Sequence, residues 1–177
     1  WMSDTKIVIG SSKGIHTFEL GASGWSQGTE RSGVGIPQGT ILLFNPSKTL
    51  AVNFRPKTDE TETGQSTLFV YKGVGEGGQW SSHGNLIIGD SSDAPIQSVV
   101  WLSDDRLAIG RPRADSGLQT ASNQGQISFH KYDPDFINPN ATANTGIFEE
   151  DGSFLGLSNE DKIGAAMHFH SSGELLV

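Results

Sequence analysis

The chain has no cysteine, so disulfides, thiolate–zinc sites and cysteine nucleophiles are excluded outright. That absence fits a reducing compartment and equally a large surface repeat protein. Basic residues are scarce: Lys+Arg number 12 against 20 for Asp+Glu, a formal net charge of −8. Their one local concentration is Arg111-Pro112-Arg113-Ala114. This balance argues against a nucleic-acid partner, because phosphate neutralisation needs a basic face. No apolar run approaches the ~18 residues of a membrane-spanning helix. No window keeps apolar residues at helical spacing without a Gly or Pro interruption, so no helix longer than a turn is expected.

What is present is glycine and repetition. Glycine occupies 23 of 177 positions, roughly twice the usual ~7%, which suits many tight turns between strands. The aromatics Phe44, Trp101 and Phe169 each precede a leucine (Leu50, Leu107, Leu175) by the same offset. They lie 57 and then 68 residues apart (44 to 101, 101 to 169). A period near ~50 built from short apolar runs and turn residues is the signature of a propeller blade.

Each repeat reads as four strands, a to d. Strand a covers residues 40–44, 98–102 and 165–170. Ser/Pro/Asp/Gly turns follow, which are hairpin signals. Strand b covers 50–53, 107–110 and 175–177, with a further copy at 6–10. Strand c covers 15–19, 68–72 and 127–131. Alternation along a strand puts Ile15 with Thr17, Leu68 with Val70, and Ile127 with Phe129 on one face. Strand d starts near Trp25 and Trp80 and runs toward 34–36 and 85–89. The third repeat has no Trp there, and 133–161 reads as a polar insertion with one short strand at 153–157.

The expected class is therefore all-β, a β-propeller of four-stranded antiparallel blades. Its repeats run 6–39, 40–97, 98–164 and, in part, 165–177. An open β-sandwich is the alternative, and it leaves the fixed aromatic-to-Leu offset unexplained. About three blades are present, whereas closed propellers usually need at least four. The expectation is a portion of a longer chain beginning before Trp1-Met2, or a ring completed by other subunits.

The layout of strand a, turn, Leu-Ala-Val/Ile, polar loop, Gly-x-Φ-x-Φ and Trp resembles the FG-GAP-like repeats of integrin-α-type propellers. The matching stretches are 98–110 with 125–132, and 40–52 with 65–80. The resemblance implies a non-enzymatic interaction or scaffold module, secreted or on a cell surface, presenting rim loops to a protein or a glycan. Family members often carry Asp-x-Asp-x-Asp-Gly calcium loops between strands a and b. Here those turns read Asn45-Pro46-Ser47-Lys48, Ser103-Asp104-Asp105-Arg106 and Ser171-Ser172-Gly173-Glu174. None offers the six to eight oxygens that calcium takes, so that site is not carried over. WD40 repeats are a second resemblance, through residues 100–108, without their Gly-His and Trp-Asp signatures.

Other candidates have plainer readings. Phe44, Leu50, Trp101, Leu107, Phe169 and Leu175 are expected to form the repeated core. Asp133, Asp135 and Asn138 gather oxygens that calcium could order, though Asp, Asn and Pro are ordinary loop residues. Asn140-Ala141-Thr142 is a glycosylation sequon. His168 and His170 share a strand face, with no third ligand evident. Asp104-Asp105 and Glu149-Glu150-Asp151 read as solvated turns rather than a facing catalytic pair. The 73–78 glycine stretch lacks the Lys-Ser/Thr ending of a phosphate loop. No catalytic residue, cofactor or resident metal is expected. Partners belong on the long loops 111–124 and 133–161. A propeller enzyme acting on polysaccharide is the competing class.

Overall fold

The computed structural model describes residues 5–11, 14–32, 41–55, 66–74, 79–88, 95–114, 123–136 and 146–177. Among them there are strands and no helix. β1 (Lys6–Ser11), β2 (Gly14–Gly21) and β3 (Gly24–Ser32) form a three-stranded sheet. β4 (Ile41–Phe44), β5 (Leu50–Phe54), β6 (Ser66–Val74) and β7 (Gln79–Ile88) form a four-stranded one. β8 (Ser98–Trp101), β9 (Arg106–Arg111), β10 (Gln126–Asp133) and β11 (Ile147–Leu155) form another. β12 (His168–Phe169) and β13 (Leu175–Leu176) make a two-stranded sheet. Each strand pairs antiparallel with its neighbour in sequence. The protein is thus all-β, made of antiparallel meanders.

The sheets stack in chain order. β3 lies against β7 and β7 against β11, while β4 lies against β8 and β8 against β12. First strands therefore line one side of the stack and last strands the other. The main core sits between the two four-stranded sheets. Leu50, Val52, Phe54, Leu68 and Val70 meet Val99, Trp101, Leu107, Ile109, Tyr132 and Phe148, with Ile96 beneath. A second cluster, Ala51, Tyr71 and Trp80 with Leu42, Phe44 and Phe69, occupies the other face of β4–β7. Period-2 alternation produces this split: neighbours in one strand serve opposite faces.

Where they lie among the described residues, the expected strands fall on observed ones, with three corrections. The stretch 133–161 is not one insertion with a short strand at 153–157. It contains β11, which pairs along β10 from Asp133↔Ile147 to Gln126↔Leu155. The strand escapes a hydrophobic reading because its middle is Glu149-Glu150-Asp151, the charged pattern that guards an edge strand. Strand a of the last repeat shrinks from 165–170 to His168–Phe169, and its strand b ends at Leu176. On strand d, β7 ends at Ile88, and 34–36 and residue 89 lie outside the described residues.

The third correction concerns register. The offset from aromatic to leucine is constant in sequence but not in pairing. Phe44 opposes Ala51, whereas Trp101 opposes Leu107 and Phe169 opposes Leu175. The turns explain it. Leu102 N donates to Arg106 O and His170 N to Glu174 O, closing three-residue loops (103–105 and 171–173). Asn45 N donates to Leu50 O, closing a four-residue loop (46–49), in which Lys48 takes a left-handed φ of 58°. A one-residue slip moves a side chain to the opposite face. So Leu107 lies beside Trp101, while Leu50 turns away from Phe44. Leu50, Leu107 and Trp101 are buried, whereas Phe44, Phe169 and Leu175 are half-buried.

All three ladders between third and last strands carry a bulge at one place: His16/Phe18, Val70/Tyr71 and Ser128/His130. The extra residue lies on the outer strand each time. Such bulges raise local right-handed twist.

Where the segment between β11 and β12 crosses β8 and β9, backbone touches backbone. A Cβ on Gly110 would sit 2.1 Å from Gly164 O, and Ser98 Oγ donates to that carbonyl at 2.5 Å. Glycine is required at position 110 by this close approach.

Candidate functional site

One end of β8–β11 carries a cleft of about 470 Å³ lined by Asp105, Lys131, Tyr132, Asp133, Pro134 and Glu149. Chain geometry brings these residues together. Asp105 sits in the β8–β9 turn, Lys131, Tyr132 and Asp133 end β10, and Glu149 lies opposite Lys131 on β11. Tyr132 N donates to Asp105 O at 2.7 Å, tying the turn to the strand end. Three carboxylates face one ammonium, so the lining is net acidic. Two carboxylates already hold local structure: Asp105 Oδ1 accepts from Ser103 Oγ at 2.7 Å, and Asp133 Oδ1 accepts from Asp135 N at 2.9 Å. Nearby, Arg106 of β9 pairs with Asp151 of β11 across β10.

The same end holds a polar clamp that sequence reasoning missed. Asn45 is 1% exposed. Its Nδ2 donates to Ser47 Oγ at 3.2 Å, Thr49 Oγ1 at 3.0 Å and Asp104 O at 2.8 Å. Its Oδ1 accepts from Thr49 N at 2.8 Å and Leu50 N at 3.0 Å. Asp104 Oδ1 in turn accepts from Ser47 N at 2.6 Å. The β4–β5 turn is thereby fastened to the β8–β9 turn of the next sheet. The signal in sequence was an Asn opening a turn, but the partner lies far along the chain. Asp104, read from sequence as solvated, is exposed, and its carboxylate also accepts in this clamp.

Two histidines, His130 buried and His83 half-buried, add to these polar groups. His130 is 3% exposed and shares a 2.9 Å hydrogen bond between Nε2 and Ser128 Oγ. Its Nδ1 has no hydrogen-bond partner among the described residues. Burial pulls its pKa below the ordinary value; Glu150 opposes that and Arg111 adds to it. His83, the extra residue of the β7 bulge, packs on Tyr132 with ring centroids 5.8 Å apart. Burial and then Lys72 lower its pKa. Burial, with Asp133, pushes the Tyr132 phenol up to about 12, so it stays a neutral hydroxyl.

The Ser128–His130 pair is buried between sheets, whereas a nucleophile and its base need access to substrate. It acts on stability instead. The unfolded chain takes up a proton near pH ~6.5, while buried His130 resists doing so. Stability is therefore fully present above that pH and falls as pH drops toward the folded pKa, by at most about 1.4 kcal/mol per pH unit for this group. Urea midpoints measured from pH 7.5 down to 5 are expected to decline, and His130→Gln to flatten the decline. Parallel curves would remove His130 from the account.

Among the described residues no group of three or more His, Asp or Glu could hold a metal ion. Asp133 and Asp135 form a local turn rather than a cage, while Asn138 and Asn140 lie outside the described residues. His168 is exposed in β12, and His170 Nδ1 is engaged with Ser172, 2.8 Å from its Oγ. Gly73 packs under Trp80 within β6, and 75–78 is outside the described residues. The two loops assigned to partners open at both ends of β8–β11. Arg111, bonded to Gln126, marks one end, with 156–161 beside it, and 133–136 lies at the other. Compared with known proteins, the chain matches no family model, no curated protein and no solved structure. No helix among the described residues is long and apolar enough to cross a membrane.

Proposed function

We propose that this chain is part of an FG-GAP-like β-propeller that works as a non-enzymatic interaction module, binding a protein partner at the rim where the acidic cleft opens. The stacking of four-stranded meanders in chain order, first strands on one side and last strands on the other, supports the propeller reading. Such a fold offers a rigid frame for loops. The observation that carries the partner reading is the cleft itself: Asp105, Asp133 and Glu149 against Lys131, with Pro134 beside them. A Lys- or Arg-bearing peptide segment complements that surface by charge and by apolar contact. A setting outside the cell goes with the family resemblance.

The engagement of Asp105 and Asp133 in their own turns favours binding over glycoside hydrolysis, which needs two carboxylates poised across a bond. A panel of basic, neutral and acidic peptides, run beside a glycan array, tests the reading. Basic peptides are expected to bind, to weaken with salt, and to be lost on Asp105→Asn with Glu149→Gln. Glycan binding alone would make the module a lectin. Cleavage of a polysaccharide would overturn the non-enzymatic reading.

A further inference from the structure

β11 is the outer strand of its sheet and pairs on one side only, with β10. Its bulge falls on a single dipeptide. Register runs from Ser128↔Ser153 to His130↔Glu150, so Asp151 and Gly152 together oppose Phe129. A bulge leaves its extra residue out of the ladder. Both residues are exposed. Gly152 has a positive φ of 126°, and a Cβ built on it would meet nothing within 4 Å. The Asp151 carboxylate is held by Arg106 of β9, across β10. β8–β11 has a neighbouring sheet on either side, so this open edge is not an end of the stack. It is also the one place in the sequence where Asp or Asn precedes glycine.

An aspartate followed by glycine can close on its own main chain. The Gly152 amide nitrogen bonds to Asp151 Cγ, the carboxyl C–OH bond breaks, and the hydroxyl leaves as water with the amide proton. Water then reopens the five-membered succinimide. Entry at Cγ restores aspartate. Entry at the former main-chain carbonyl leaves the chain running through the side chain, an isoaspartate of unchanged mass. The fold favours the closure in three ways. No Cβ crowds the attacking nitrogen, the dipeptide lies out of the ladder, and the unpaired edge is open to water. Arg106 opposes it, because the carboxyl must leave the guanidinium to turn back on Gly152.

We propose that Asp151–Gly152 is a site of spontaneous isoaspartate formation, restrained by Arg106. Conversion lengthens the main chain by one carbon at the bulge and removes the carboxylate that Arg106 holds. Residues 153–155 then lose their fit to Gln126, Ile127 and Ser128, and the Phe129–Phe154 ring contact at 5.8 Å is lost with it. Only β10 pairs with β11, so the damage stays on the outer strand. The exposed isoaspartyl carboxylate makes the aged chain a substrate for a repair methyltransferase. The inference rests on neither the propeller reading nor the acidic cleft.

Ageing the folded 177-residue chain at neutral pH and physiological temperature tests it. Isoaspartate is located by peptide mapping with electron-transfer fragmentation and counted by methyl transfer with an isoaspartyl methyltransferase. It is expected at position 151 ahead of every other Asp. Arg106→Ala, at an exposed position, is expected to raise the rate about 1.5- to 5-fold, the span an exposed ion pair can supply. Arg106→Lys is expected to restore most of the restraint. Asp151→Glu, which would have to close a six-membered ring, is expected to lose the signal. The same chain in urea gives the rate without the fold. Conversion at 151 in urea but not in the folded chain overturns the site, since β11 then shields the dipeptide. Equal rates for folded Arg106→Ala and the unsubstituted chain overturn the restraint. A signal that survives Asp151→Glu places the chemistry elsewhere and also defeats the proposal.

Discussion

Replacing Trp101 by alanine is expected to cost about 3–5 kcal/mol, the range for truncating a buried large aromatic. The side chain is 7% exposed and sits where two sheets meet. Its ring lies 5.9 Å from Phe148 at a 59° tilt, and its Nε1 donates to Leu43 O of the neighbouring sheet at 3.4 Å. The hydrogen bond is long and contributes little. The loss is chiefly a cavity among Val99, Leu107 and Phe148 that strands cannot collapse to fill. Against a typical total of about 5–15 kcal/mol, this is a large share. Thermal denaturation should show a midpoint lower by on the order of 10 °C. A midpoint unchanged within error would remove Trp101 from the core. Trp101→Phe should recover most of the loss by keeping ring contacts with Phe148.

The second large effect is polar. Asn45→Ala is expected to cost about 2–4 kcal/mol, because buried groups left without partners cost about 1–3 kcal/mol each. Leu50 N, in a buried strand, loses its acceptor, and Asp104 O loses its donor. Asn45→Asp should be no better: its carboxylate would face Asp104 O, where the amide now donates. The clamp joins two sheets, so coupling is the sharper readout. A double-mutant cycle of Asn45→Ala with Asp104→Ala should give an interaction energy above about 0.5 kcal/mol. Strict additivity would mean that the Asp104 carboxylate's bond to Ser47 N is made independently of the Asn45 amide.

The strands were legible because short apolar runs alternated between turn residues, and each third strand announced itself with bulky side chains such as Leu68-Phe69-Val70-Tyr71. β11 was illegible for the opposite reason: an outer strand with one wet face needs no apolar alternation, and Glu149-Glu150-Asp151 looks like loop. The register slip was hidden because sequence alignment counts residues from aromatic to leucine, while pairing depends on how many the turn consumes. Lys48 in a left-handed conformation is not a position that composition reveals. The cleft and the clamp escaped for a third reason. Asn45 and Asp104 are 59 residues apart, and their meeting is a property of sheet stacking. No local pattern encodes it, whereas the turn chemistry of each residue alone was plain.

The order of the sheets along the stack sets how the molecule comes apart. Among the described residues the main sheet-to-sheet contacts run between neighbours in the chain, so stability is a chain of nearest-neighbour couplings rather than one shared core. The central pair holds the largest cluster and two neighbours apiece. The two-stranded sheet at one end has one neighbour and half-buried side chains. Cooperativity then grades from the middle outward: terminal sheets open at low free energy while the central pair stays closed. Anything that caps an end therefore adds to the stability of every sheet behind it.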